Sequence, residues 1–149
     1  MKRRAPVEVS AAALAEVRAV YAELERRPLV RNCVRVKQCC QFKLTGRTPF
    51  LTKGEAVVAA KAFRATGRTK LPETADGVCP MLDRVSGNCR IYADRPFGCR
   101  THFCAAAGGP YSRREVLDLI RRLEAVDAQL AGSGPRILQS AVQAALDEL

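Results

Sequence analysis

Seven cysteines constrain this chain more than anything else in it: Cys33, Cys39, Cys40, Cys79, Cys89, Cys99 and Cys104, against one histidine, His102. They fall in two groups. The first enters around an alternating stretch, Val30, Asn32, Val34 and Val36, which predicts a short strand or extended entry. The second lies between Thr69 and Pro110, where no helix or strand period holds and Pro72, Gly77, Pro80, Gly87, Pro96 and Gly98 punctuate the chain. A structureless stretch of that length inside a small domain requires something to hold it. A metal centre joining the two groups closes the loop between them and replaces packing that the stretch cannot supply.

The thiols limit what that centre is. Free cysteine is readily buried, so one or two are ordinary core residues, but seven in 149 residues exceed that role. Zinc sites favour two cysteines separated by two to four residues. The chain has no C-x2-C pair, and Cys99 to Cys104 is its only C-x4-C. Iron–sulfur clusters accept four thiolates from separate loops, and all-sulfur ligation suits both metals. The expected cofactor is therefore an iron–sulfur cluster, with zinc as the alternative. An odd count leaves at least one thiol outside a four-ligand site. His102 reads as a surface or hydrogen-bonding residue, although its place between Cys99 and Cys104 raises the case for ligation. Four thiolates leave the centre negative, and Arg35, Arg90, Arg95 and Arg100 stand beside the cysteines to offset it. Arg95 and Arg100 are the candidate cofactor-contacting pair.

Around the cysteines, four helices are predicted. The first runs from about Ser10 to Arg27, with Leu14, Val17, Val20, Tyr21 and Leu24 on one stripe and Pro28 stopping it. The second opens on a Thr52–Glu55 capping box and ends at Gly67, with Ala56, Val57, Ala59, Ala60 and Phe63 as its apolar stripe. The third opens on a Ser112–Glu115 box, carries Val116, Leu119, Ile120, Leu123, Val126 and Leu130, and ends at Gly132. The fourth follows Pro135. The short Gly132–Pro135 connection predicts that the last two helices are antiparallel neighbours. The fold class is mainly α: a small single domain over 1–149, four helices around an irregular cysteine-rich core at about 33–104, and a C-terminal helical hairpin at about 112–149.

Charge adds less. Lys plus Arg is 25 and Asp plus Glu is 15, so 25 − 15 gives +10. The excess is mostly arginine, is spread along the chain and accompanies many alanines, as GC-rich coding produces. Aromatics are 5% and do not interleave with basic residues, which disfavours direct nucleic-acid binding. No apolar run approaches about 18 residues, so no spanning helix is expected. Lys2, Arg3 and Arg4 are followed by Glu8, Glu16 and Arg18, which fits an amphipathic helix and not an export signal. The expected location is the cytoplasm, where thiols stay reduced and serve metals or redox chemistry.

The strings Cys79-Pro80-Met81-Leu82, Gly87-Asn88-Cys89-Arg90-Ile91-Tyr92, Arg95-Pro96 and Cys99-Arg100 resemble the YkgJ-like cysteine-cluster family, known by its CxxCxxCC motif. Upstream, Cys33, Cys39 and Cys40 fall on the first, third and fourth motif cysteines, and Val36 stands at the second. Thr52 and Glu55 fall where such proteins commonly begin a helix. The resemblance covers about 33–104 and implies chelation of zinc or iron. It makes Cys40, Cys79, Cys89 and Cys99 the best ligand candidates, Cys39 and Cys104 the next, and Cys33, whose nearest partner is lost at Val36, the last. Members are often labelled iron–sulfur oxidoreductases, and some larger relatives are flagellin lysine methylases.

Three functional classes follow: a structural or electron-transferring metal protein with a protein redox partner, an enzyme using the centre (methyltransferase or oxidoreductase), or a zinc-dependent module binding nucleic acid or protein. No glycine-rich cofactor fingerprint supports the second, since Gly108-Gly109-Pro110 fits neither G-x-G-x-x-G nor a P-loop. Asp83 and Asp94 read as turn residues, and Tyr92 as a packing aromatic. No catalytic residue is assigned.

Overall fold

Alanine and valine at successive positions give a helix no polar face, so such a helix belongs at the centre of a bundle. That is the place of the second helix. The computed structural model describes residues 9–27, 49–73, 78–101 and 112–149. Their elements run α1 (Ala11–Arg26), β1 (Phe50–Leu51), α2 (Lys53–Ala65), a 3-10 turn (Tyr92–Asp94), α3 (Phe97–Thr101), α4 (Arg113–Gln129), β2 (Arg136–Ile137) and α5 (Leu138–Glu148). The protein is mainly helical, as its sequence predicts. The alternating stretch at 29–37 lies outside the described residues.

Every residue of α2 from Gly54 to Ala60 is buried, as is Phe63. The helix packs on α5, α1 and α4. Gly54 is where three helices meet: a Cβ there would stand 2.8 Å from both Val17 Cγ2 and Val126 Cγ1. On the flank, α1 and α4 pair along the predicted stripes, Leu14, Val17, Val20, Tyr21 and Leu24 against Val116, Leu119, Leu123 and Val126. Arg27 at the end of α1 donates to Glu115 O (3.0 Å) and pairs with Asp118, both in the first turns of α4. Arg122, further along α4, pairs with Glu16 (2.7 Å), so the two helices run antiparallel.

The helix boundaries agree with the capping residues. Ser10 Oγ accepts from Ala13 N (3.1 Å), Ser112 and Glu115 form their box, and Gly67 takes the left-handed φ of +89° just beyond α2. Two expectations need correction. The last two helices do not lie along one another. Instead α4 packs chiefly on α1, α5 packs on α2, and α2 also touches α4. The connection between them contains β2, which pairs antiparallel with β1 (Phe50 opposite Ile137, Leu51 opposite Arg136). Gly132 also has a different job from ending a helix by its φ. The positive φ belongs to Ala131, at 54°, whereas a Cβ on Gly132 would stand 2.3 Å from Asp127 Oδ1. Buried Asp127 needs that space, because its Oδ1 accepts from Lys53 N (2.8 Å) and its Oδ2 from Gly134 N (3.0 Å). One carboxylate thus fastens the start of α2 to the turn after α4.

Candidate metal centre

The segment 78–101 has little repeat in its sequence and considerable order in its backbone. After Cys79 the chain makes a tight loop: Leu82 N donates to Cys79 O (3.0 Å), Gly87 N to Asp83 O (2.6 Å), Asp83 N to Asn88 O (2.8 Å) and Arg90 N to Met81 O (2.8 Å). Leu82 and Cys89 face each other as an antiparallel bridge. Gly87 has φ +70°, a conformation open to glycine at no steric cost. Asp83 plays the turn role expected of it. Its Oδ1 accepts from Val85 N (3.0 Å), which with the nearby Arg90 guanidinium holds the carboxyl below its ordinary range. Met81, Ile91 and Phe97 sink into the core shared with the helices.

Cys79 stands at the first arm of this loop, buried at 6% exposure, and Cys89 on the returning arm, half-buried. Cys79 forms part of the wall of a cleft of about 520 Å³ whose other walls include Arg68, Glu73, Asp83, Arg84 and Arg90. Cys99 belongs to α3, where its amide donates to Pro96 O (3.1 Å). The sequence predicts a sharp bend at 95–98; the structure has a helical turn there, with Pro96 opening it. Among the described residues, no three His, Cys, Asp or Glu side chains converge as a metal site. Cys33, Cys39, Cys40 and Cys104, together with His102 and Arg35, lie outside the described residues.

What the described residues do show is how the Cys99 turn is held. Glu55 is buried, at 3% exposure, in the first turn of α2. Its Oε2 accepts from Thr52 N and Thr52 Oγ1, both at 3.0 Å. Its Oε1 accepts from Phe97 N (2.7 Å) and from the Tyr21 hydroxyl (3.3 Å). Burial pushes the Glu55 carboxyl up, and the donors around it pull it back. The Tyr21 phenol is held well above its ordinary value, first by burial and then by the Glu55 carboxylate.

Arg100, the residue after Cys99, is buried beside this group. Its guanidinium lies over the Tyr21 ring at 4.3 Å, donates to Ala93 O (2.6 Å) and Arg95 O (2.7 Å), and pairs with Glu25. Burial pulls its pKa down, while Tyr21 opposes the shift. Arg95 reaches back over Tyr92, 4.0 Å from the ring centroid, and donates to Tyr92 O (3.0 Å). Tyr92 is exposed beneath that guanidinium and is not part of the core, which corrects its reading as a packing aromatic. Asp94 pairs with Arg18 of α1 at 3.9 Å.

Sequence reasoning missed much of this frame. Glu55 was legible as a helix cap, but its second task, accepting from Phe97 N 42 positions away, leaves no local signal. Tyr21 and Glu25 sit within a helix, where periodicity accounts for Tyr21 as core and Glu25 as surface.

Comparison with known proteins adds one positive result. No curated protein and no solved structure matches the chain. No helix among the described residues is long and apolar enough to cross a membrane. Residues 32–120, more than half of the chain and including all seven cysteines, match the model of a family described as "Putative zinc- or iron-chelating domain". That match covers more than half of the chain, and the chain belongs to the CxxCxxCC family.

Proposed function

We propose that the protein holds a cysteine-ligated iron–sulfur cluster, with zinc as the alternative occupant, in a structural or electron-transferring role. The observation that carries this is the family match over all seven cysteines. The ligands we assign first are Cys40, Cys79, Cys89 and Cys99, followed by Cys39 and Cys104, with Cys33 last. The hydrogen-bonded loop that carries Cys79 and Cys89 supports the assignment, since turn amides offer hydrogen bonds to thiolate sulfur. The absence of a C-x2-C knuckle favours the cluster over zinc. A reducing compartment such as the cytoplasm, and an unknown protein or redox partner, are the matching setting.

The test is purification without oxygen, followed by absorption spectroscopy and elemental analysis. A brown protein with broad absorption near about 400 nm, containing iron and sulfide, is the expected result for thiolate-bound clusters. A colourless preparation with stoichiometric zinc and no iron reverses the order of the two metals. A preparation with neither metal, which also fails to take up zinc or iron on reconstitution, overturns the proposal.

A further inference from the structure

We propose that Glu55 is the positioning residue for Cys99, fixing this thiol before any metal arrives; as a statement about metal affinity, this rests on the chelation proposed above. The helix carrying Cys99 has five residues, Phe97–Thr101, far below the length at which a helix stands alone in water. Its order must come from outside. The Glu55 carboxylate takes the Phe97 amide at 2.7 Å, two residues before Cys99. Arg100, one residue after it, is held by the Tyr21 ring, Glu25 and two backbone carbonyls. Cys99 therefore lies between two pinned neighbours. Both pins converge on Tyr21, whose hydroxyl donates to Glu55 and whose ring lies under Arg100. Tyr21 belongs to α1, so a helix outside the family match contributes to the frame of a candidate ligand inside it. A ligand already in place loses less freedom when it binds, which raises affinity without adding a contact to the metal.

Both oxygens of the Glu55 carboxylate accept, Oε1 from Phe97 N and the Tyr21 hydroxyl and Oε2 from Thr52. Glu55→Gln keeps the shape but replaces one oxygen by an NH2 group. That group faces either the Phe97 amide and Tyr21 hydroxyl or the Thr52 donors. The test uses the full chain, stripped of metal and reduced, with iodoacetamide alkylation followed at Cys79, Cys89 and Cys99 separately. Glu55→Gln is expected to accelerate alkylation of Cys99 about tenfold, leaving the other two within about twofold. An unchanged Cys99 rate, or equal acceleration at all three, overturns the proposal. If Glu55→Gln does not fold, Tyr21→Phe decides the matter: a smaller acceleration confined to Cys99 supports the proposal, and no change there overturns it.

With zinc as the probe, Glu55→Gln should weaken binding in the wild-type background and add nothing in a Cys99→Ser background. Equal weakening in both overturns the proposal. A wild-type protein that binds no zinc or iron at all counts against the proposed function, whereas the alkylation result still decides how Cys99 is held.

Discussion

The helical frame and the cysteine-bearing segment are stabilised in different ways. In the frame, apolar side chains cover one another: Val17, Val20, Val58, Phe63, Leu119 and Val142 are shut off from solvent, and few polar contacts are needed between helices. Between Cys79 and Thr101 the apolar anchors are sparse, chiefly Met81, Ile91 and Phe97 with the two prolines. Specific hydrogen bonds supply the rest, with single groups serving several partners. Glu55 takes four donors and Arg100 reaches three acceptors. Apolar packing tolerates approximate shape, whereas a buried polar group left without its partner costs its full desolvation. The frame should thus absorb substitution gradually, and the segment should fail at particular residues.

The strongest way to break the contrast is to damage the shared core. Phe63→Ala should destabilise the whole molecule by about 3–5 kcal/mol. Because Met81, Ile91 and Phe63 belong to one apolar cluster, segment and helices should unfold together in denaturant. Separate transitions for far-UV helicity and for protection at 79–101 would show that the segment stands independently.

Arg100→Ala sharpens the contrast next. It leaves the Ala93 and Arg95 carbonyls without their donor and removes the cation from the Tyr21 ring, at a cost of about 2–4 kcal/mol. Hydrogen exchange should rise across 92–101 and change little in α4 and α5. Arg100→Lys should not restore protection, because a single ammonium lacks the planar fork that spans these acceptors.

Asp127→Asn probes the frame's own polar weak point. Both carboxylate oxygens accept backbone amides, so one amide must now face an NH2 group, at a cost of about 1–2 kcal/mol. The loss should appear as a lower denaturation midpoint and as faster exchange at Lys53 and Gly134, with 92–101 unaffected.

The smallest effect is expected at the Arg27–Asp118 pair. The hydrogen bond from Arg27 holds the Asp118 carboxyl below its ordinary value. A depressed folded-state pKa gives stability above the unfolded value of about 3.9, lost as pH falls through the folded value. Asp118 is 65% exposed, and solvent screening leaves about 0.5 kcal/mol or less. Asp118→Asn should differ from wild type by that much at pH 7 in low salt, and not at all at pH 2.

Helix positions were readable because they depend on neighbours three and four residues away. The stripes Leu14–Leu24 and Val116–Val126 and the boxes at Thr52 and Ser112 lie where they must to bury one face and cap one end. The turn residues of the cysteine segment were readable as punctuation, and the motif in which they sit identified the family. Other features depend on residues distant in sequence. Two-residue strands at 50–51 and 136–137 carry no period and exist because they pair with each other. The order of the last two helices around α2 follows from that pairing and from Asp127, not from the length of their connection. The sequence by itself determined the four long helices, the punctuation of the cysteine segment and the family to which it belongs, since each is set by local spacing and residue type. Only the tertiary structure decided that Glu55 and Tyr21 hold the Cys99 turn, because a buried carboxylate takes whichever donors the fold brings to it.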